Sequence, residues 1–314
     1  FGDAKMFHSS THKKHWIFSN LEQIDKVREK CIENYGTKCS VPASNLVTTD
    51  EHKVLCKHYE KILFHLCLKF QPQLPYSVIF TAFMYFKRIY LQTSIMEHLP
   101  QEMISVCLYM ACKVEEYNIS VDKFIMIYPE ADRNRTADII LSNEMGLMKL
   151  LSYQLIVHSP KRALEGLFID IKTRFQQKED FDKCRDISNE FLNAVLFSDV
   201  VFLYTPSQIA LAALFVSSKE LIHNYIVSVL APGEQGQTLF AKIEDIVKLI
   251  NAKIICEESH VKEIQEKLSK LPVPDKSKAE KRKLSNKGDG RQGIKRQKSS
   301  DAVNNEIVMN DTDE

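Results

Sequence analysis

Residues 110–116, with the sequence MACKVEE, place a cysteine, a lysine and two carboxylates directly after a run of apolar residues. Side chains of these types can form a nucleophile, an acid and base pair or a metal site. Cys112 has no histidine close by in the sequence to act as its base. Glu115 and Glu116 are adjacent, so on a helix they point about 100° apart and cannot face each other. The segment is therefore interpreted as a helix end, either a plain one or one that docks a partner.

Two other patterns suggest chemistry but lie in unsuitable surroundings. GDGRQG at 288–293 has the spacing of a dinucleotide-binding turn, yet it lies in a charged tail with no strand predicted before it. His8, His12 and His15 are spaced like metal ligands, but they lie in an N-terminal segment that is expected to be flexible. We expect neither a cofactor nor a bound metal ion.

The composition is typical of a globular protein with a sizeable core, since 44% of the 314 residues are hydrophobic. No apolar run approaches the ~18 residues that a membrane span needs. The N-terminus has no signal-peptide pattern, and Phe1 to Lys5 are interpreted as leader residues ahead of Met6. The eight cysteines include no C-x-x-C pair and are expected to be reduced core thiols. These features predict an intracellular protein.

Helical periodicity dominates the chain and predicts an all-α fold. Helices are predicted near 19–34, 50–70, 75–92, 100–115, 120–127, 135–152, 160–175, 181–198, 206–219, 222–230, 237–252 and 256–270. The prolines of PVPDKSK end the last of these helices, and the residues that follow are too polar to be buried.

An internal repeat indicates how the helices are grouped. Pro100 begins PQEMISVCLYMACK and Pro206 begins PSQIALAALFVSSK, so each proline is followed thirteen residues later by a lysine. Proline suits the first turn of a helix. Both segments are apolar on nearly every face, which is typical of a helix surrounded by other helices. The repeat predicts two similar helical domains in tandem.

The charges are concentrated in the C-terminal tail. Residues 275–298 carry ten Lys and Arg against three acids, and 299–314 carry five acids and no bases. The nearly neutral remainder argues against a nucleic-acid surface spread over the fold. Two basic clusters in the tail predict a bipartite nuclear-import signal, although a solvated linker or nonspecific phosphate contacts remain open. The cluster residues are Lys281, Arg282, Lys283, Lys295, Arg296 and Lys298.

Several segments resemble the cyclin family. TAFMYFKRIYL at 81–91, LYMACKVEEYN at 108–118 and NEMGLMKLLSYQLIVHSP at 143–160 resemble the cyclin box, a five-helix module. LEGLFIDIKTRF at 164–175 and FLYTPSQIAL at 202–211 are similar to the cyclin H subfamily. The resemblance implies two tandem cyclin boxes with flanking helices. The predicted parts are a flexible N-terminus at 1–18, a helix and linker at 19–49, the boxes at 50–157 and 158–252, a C-terminal helix at 253–271 and a disordered tail at 272–314.

The resemblance implies a regulatory subunit without catalytic residues of its own. In the family, a lysine and a glutamate hydrogen-bond main-chain groups beside the mobile regulatory helix of a kinase, and they correspond to Lys113 and Glu144. The family's apolar contacts correspond to Met110, Val114, Met148, Tyr153 and Leu155. The flanking helices are implied to pack together, with the N-terminal one near the kinase.

The resemblance further implies a partner and a cellular role. The partner is a cyclin-dependent kinase that phosphorylates other such kinases and the C-terminal repeats of RNA polymerase II. A RING-finger assembly subunit and the general transcription and nucleotide-excision-repair factor complete the assembly, in the nucleus. Two alternatives remain open: a cyclin C of the Mediator type, and a DNA-binding transcription factor core with tandem cyclin folds. The neutral body and the missing C-x-x-C count against the second alternative.

Overall fold

Helices account for the regular structure of the chain. The computed structural model describes residues 7–175, 181–231, 233–252 and 257–272, and within these ranges it contains no β-strand. The helices are α1 (Thr11–Trp16), α2 (Leu21–Cys39), α3 (Thr49–Leu68), α4 (Tyr76–Ile89), α5 (Pro100–Val114), α6 (Val121–Phe124), α7 (Glu130–Leu150), α8 (Pro160–Arg174), α9 (Phe181–Leu196), α10 (Pro206–Ser217), α11 (Lys219–Tyr225), α12 (Glu234–Asn251) and α13 (Glu258–Ser269). Residues Ile226–Leu230 continue α11 as a π-helix. The predicted all-α class is confirmed.

Two of the helices are surrounded by others, as the repeat predicts. Residues 103–112 of α5 are all buried, and α3, α4 and α7 pack around them. Residues 209–214 of α10 are buried in the same way by α8, α9, α11 and α12. The chain therefore forms two helical domains, each built around one apolar helix.

The start of α10 shows how the sequence fixes a central helix. Pro206 occupies the first turn, where its missing N–H has no partner to lose. The Gln208 N–H donates to the Thr205 hydroxyl at 3.4 Å, and the Thr205 N–H donates to the Gln208 side chain at 3.0 Å. This capping box satisfies two backbone donors that the helix leaves open. Further along, Ala212 is fully buried, and its small side chain lets neighbouring helices approach.

Helix α2 is longer than predicted. The predicted range ends at 34, whereas the helix continues through Gly36 to Cys39. A Cβ atom at Gly36 would lie 2.8 Å from a methyl group of Leu46. The glycine therefore lets the Leu46 side chain of the following loop pack closely against α2, and it does not mark a helix end. The helix stops at Ser40, which has a left-handed backbone conformation with φ 54°.

The N-terminal segment also differs from the prediction. A flexible segment is predicted over 1–18, whereas from Phe7 onward this segment packs on the domains and contains α1. Trp16 is only 2% exposed, and the Phe18 N–H donates to a carbonyl of the second domain at 2.7 Å. The prediction is wrong for the described part of the segment. A short polar stretch with one tryptophan has too little periodicity to indicate that it packs.

A buried ion cluster joins α2 to both domains. Arg28 of α2 donates to Asp199 of the second domain at 2.7 Å. Lys87 of α4 lies 2.6 Å from Glu60 and 3.5 Å from Asp199. Burial alone would raise the pKa of Asp199, but the positive charges of Arg28 and of two nearby lysines outweigh burial and hold that pKa well below its usual range. The charges are thus mutually satisfied inside the fold.

Helix α13 packs on α3 of the first domain. The Lys267 ammonium lies 2.9 Å from the Glu51 carboxylate. The hydroxyl of Tyr35 in α2 donates to the carbonyl of Pro272, just after α13, at 2.6 Å. Both flanking helices therefore contact α3, and this hydrogen bond links α2 to a residue just after α13.

Several sequence features lie outside the described residues. They include both basic clusters of the tail and the GDGRQG segment. Among the helices that are described, none is long and apolar enough to cross a membrane.

Candidate functional site

Lys113 and Glu144 lie side by side on the surface of the first domain. Lys113 is in the last turn of α5, where the helix dipole favours a positive charge. Its ammonium contacts the Glu144 carboxylate of α7 and lies 5.0 Å from the centre of the Tyr109 ring. The two side chains remain 43% and 23% exposed. The structure thus brings the two predicted polar residues together and leaves both open to a partner.

Helix α5 ends in a tight turn at the two carboxylates of MACKVEE. Glu116 has a φ of 57°, in the left-handed region that side chains other than glycine rarely adopt. The Tyr117 N–H donates to the Cys112 carbonyl at 2.8 Å and closes the helix end. The Glu115 carboxylate accepts a hydrogen bond from the Thr81 hydroxyl at 2.7 Å. Glu116 therefore ends the helix, and the Glu115 side chain links that end to α4.

Helix α7 ends in the same way, and residues 151–157 that follow it are named the α7 turn. Ser152 and Tyr153 have φ values of 51° and 58°. The Tyr153 N–H donates to the Met148 carbonyl at 2.8 Å. This ending leaves the Tyr153 side chain 58% exposed on the surface.

The predicted apolar residues differ in exposure. Tyr153 is exposed, whereas Val114, Met148 and Leu155 are half-buried and pack against the core. Met110 is only 3% exposed. Other helices surround α5 at this point, so the Met110 side chain fills the core of the free chain, and its contact with a kinase stays a prediction.

Three exposed apolar side chains on α7 and in the α7 turn were missed in the sequence. Leu141 and Met145 of α7 are 58% and 54% exposed, and Ile156 of the α7 turn is 62% exposed. Leu141, Met145 and Met148 are spaced i, i+4, i+7, which places them on one face of the helix. That spacing was a usable signal. Spacing alone cannot distinguish a face that packs in the core from one that reaches the surface.

Two of the titratable groups considered for chemistry, Cys112 and His12, are buried. Burial raises the pKa of the Cys112 thiol to about 12. Burial, followed by the charge of Arg88, lowers the pKa of His12 to about 2. The His12 Nδ1 atom accepts a hydrogen bond from the His158 N–H at 3.1 Å. In the part of the chain that the structure describes, no group of three or more His, Cys, Asp or Glu side chains is placed to hold a metal ion.

The arrangement around Lys113 and Glu144 suits the binding of another protein. Exposed ion pairs contribute at most about 1 kcal/mol, so the two side chains can exchange each other for partner groups at small cost. Apolar side chains with a few fixed polar groups are typical of protein interfaces. Leu141, Met145 and Tyr153 supply such an apolar surface.

Comparison with known proteins assigns both domains. Residues 40–156 match the cyclin N-terminal domain, and residues 159–254 match the cyclin C-terminal domain. The chain is 35% identical over 257 residues to cyclin-H of Xenopus laevis, which covers 78% of this chain and 79% of that protein.

Two solved structures have a similar fold. A chain in the CAK complex of Chaetomium thermophilum bound to ATP-gamma-S has a TM-score of 0.78 and 24% identity, covering 96% of this chain and 99% of that one. A chain in the yeast TFIIK (Kin28/Ccl1/Tfb3) complex has a TM-score of 0.65 and 26% identity, covering 77% of this chain and 99% of that one.

Proposed function

The chain belongs to the cyclin family, and on this premise we propose that it binds and activates a cyclin-dependent kinase as the regulatory subunit of a CDK-activating kinase. The observation that carries the proposal is the exposed Lys113–Glu144 pair beside the apolar face of α7. This choice of kinase is supported by the similarity to cyclin-H and to a chain in the yeast TFIIK (Kin28/Ccl1/Tfb3) complex.

The proposed mechanism is a population shift in the kinase. A protein kinase is active when a glutamate of its regulatory helix pairs with the lysine that holds the ATP phosphates. A partner favours this state only if it binds that state more tightly than the inactive one. Two charges on rigid helices, together with the exposed side chains of Met145 on α7 and Tyr153 in the turn after it, would give such a preference. The chain supplies shape and charge, and the kinase supplies the catalytic groups.

In the free protein, the two polar side chains proposed to bind the kinase form an ion pair with each other. Lys113 and Glu144 hold each other in place on α5 and α7. On binding, each would turn to main-chain groups of the kinase. Charge-assisted hydrogen bonds of this kind contribute roughly 1.5 to 3 kcal/mol each, which exceeds the energy of the exposed pair that they replace.

The proposal extends to the assembly in which the kinase works. We infer a complex with a RING-finger assembly subunit, within the general transcription and nucleotide-excision-repair factor, acting in the nucleus on other cyclin-dependent kinases and on the RNA polymerase II C-terminal repeats. The TFIIK complex, which contains a chain similar to this one, supports this inference. The same proposal places the first cyclin box at 50–157 and the second at 158–252. It also assigns a nuclear-import signal to the basic C-terminal tail.

The pair can be tested by substituting Lys113→Ala together with Glu144→Ala. Loss of both anchors is expected to weaken binding to the organism's own kinase most similar to Kin28 by about a hundredfold, because two charge-assisted hydrogen bonds are removed. The free energy of unfolding of the free protein should change by less than about 1 kcal/mol. Isothermal titration calorimetry and urea denaturation measure the two quantities.

A matched control is the exposed pair of Glu165 and Arg185, which joins α8 to α9 in the second domain with side chains 34% and 42% exposed. Its double alanine variant should bind the kinase as the unmodified protein does. Unchanged kinase binding after loss of Lys113 and Glu144 would contradict the assigned surface.

A further inference from the structure

Residues 7–18, named the N-terminal strap, lie across the α7 turn. The Trp16 indole N–H donates to the Gln154 side-chain oxygen at 2.8 Å. At the other end of the turn, the His158 backbone N–H donates to His12 Nδ1 at 3.1 Å. The strap is then fixed to the second domain, because the Phe18 N–H donates to a carbonyl there at 2.7 Å. The α7 turn is therefore held from outside the domain that carries it.

Arg88 of α4 holds the turn from its inner side. The guanidinium is fully buried, and its Nη1 donates to the Gln154 carbonyl at 3.1 Å and to the Ile156 carbonyl at 3.4 Å. Its Nε and Nη2 atoms have no hydrogen-bond partner among the described residues. The Trp16 ring covers the guanidinium, with its centre 4.9 Å away. An aromatic ring face stabilises a buried positive charge that has nitrogen atoms without hydrogen-bond partners. The Trp16 ring therefore stabilises the buried Arg88 side chain.

The side chains carried by this turn belong to the proposed kinase surface. Tyr153 and Ile156 are 58% and 62% exposed, while the backbone between them is bonded to Arg88 and, at the Leu155 carbonyl, to the Tyr85 hydroxyl at 2.7 Å. The backbone at Tyr153 has a positive φ of 58°, which persists only where the surroundings hold it. Contacts that fix this backbone also fix where the two exposed side chains point.

We propose that Trp16 is a positioning residue of the kinase-binding surface, which acts through Gln154 and Arg88 to hold the α7 turn in its binding conformation. The inference rests on the proposed function. In this inference the N-terminal strap supports the kinase-binding surface without itself contacting the kinase. A helix of six residues such as α1 is not stable alone, so the strap and the turn form together. A state without the docked strap would bind the kinase more weakly.

The test is a double-mutant cycle between Trp16→Phe and Tyr153→Ala, measured on the full chain with the kinase most similar to Kin28. Phenylalanine keeps a ring over Arg88 but removes the N–H that bonds Gln154. Trp16→Phe is expected to weaken kinase binding about tenfold in the unmodified protein. In the Tyr153→Ala background the same change should weaken binding less than threefold, because the larger of the two side chains to be positioned is gone. Lys14→Ala, an exposed change on the same helix, is the control.

If Trp16 had a purely structural role, Trp16→Phe would weaken kinase binding equally in both backgrounds. If Trp16 is a positioning residue, the loss of affinity should be smaller in the Tyr153→Ala background, whereas the loss of thermal stability should be the same in both. Equal affinity losses in both backgrounds, or no loss at all, would overturn the inference. Failure of the unmodified protein to bind the kinase would instead overturn the proposed function, and the inference with it.

A second readout needs no kinase. Trp16 is the only tryptophan of the chain, so its fluorescence reports on the strap alone. Gln154→Ala removes the acceptor of the indole N–H and should shift the emission of the free protein, whereas Gln154→Glu keeps an acceptor and should shift it less. An emission spectrum that is the same in all three proteins would also overturn the inference.

Discussion

His12 and His52 are buried in their neutral form, which makes the stability of the protein depend on pH. Burial is the main cause that lowers the pKa of His12 to about 2 and of His52 to about 3. In the unfolded chain a histidine titrates near pH 6.5. As the pH falls below that value, only the unfolded state takes up the proton, so stability is lost from about pH 6.5 down toward the folded pKa. At pH 7 the effect is nearly absent.

The size of this effect can be measured for His12. Between pH 7 and pH 5 each such histidine should lower the free energy of unfolding by about 2 kcal/mol. His12→Asn keeps an acceptor for the His158 N–H but removes the titration, so the difference in unfolding free energy between the two pH values should shrink by about 2 kcal/mol. Urea denaturation at both pH values measures it. The exposed His15→Asn is the control, and an equal shrinkage in that variant would contradict the burial argument.

At the scale of single residues, the motifs located a polar pair that the structure brings together, but they did not show which apolar side chains are exposed. That these residues bind a kinase stays a prediction. Lys113 and Glu144 could be placed from two motifs, and the structure brings them into contact. The burial of Met110 and the exposure of Leu141 were not foreseen, because motif position does not tell which face of a helix other helices cover. Trp16 could not be placed either, since its partner Gln154 is 138 residues away in the chain.

The ends of α5 and α7 lead to a prediction about whole elements. Glu116 ends α5 in a left-handed conformation, which costs a residue with a Cβ atom about 1 to 2 kcal/mol. Glu116→Gly removes this strain but adds flexibility to the unfolded chain, so the free energy of unfolding should rise by about 0.5 to 1 kcal/mol. Urea denaturation measures the change. Glu116→Ala keeps the strain, and an equal gain in that variant would contradict the explanation.

The helices themselves were largely predictable. The boundaries of α5 and α10 follow from a proline in the first turn and an apolar run of fixed length. Boundaries failed where tertiary contacts decided them. Helix α2 continues past Gly36, where the Leu46 side chain packs closely, and α1 buries His12 and Trp16 against the folded domains. Local propensity contains neither contact.

At the scale of the whole molecule, buried charges link the parts that the sequence suggested separately. The pair of Arg28 and Asp199 connects the N-terminal flanking helix to the second domain, while Lys87 and Glu60 continue the cluster into the first domain. No sequence motif could predict this cluster, because its members lie up to 171 residues apart. Breaking a buried pair leaves a charge without compensation, so the cluster favours one arrangement of α2 and the domains. A rigid arrangement is what a partner that selects one kinase conformation requires.

We propose that the folded chain activates a kinase without contributing catalytic groups. The most direct test is the rate at which the kinase most similar to Kin28 phosphorylates a peptide of RNA polymerase II C-terminal repeats, measured with and without the full chain. We expect a rate that rises with chain concentration and saturates at one chain per kinase. For the Lys113→Ala, Glu144→Ala protein, the concentration that gives half of the maximal rate should be much higher. A kinase rate that is unaffected by the chain, or phosphorylation by the chain alone, would contradict it.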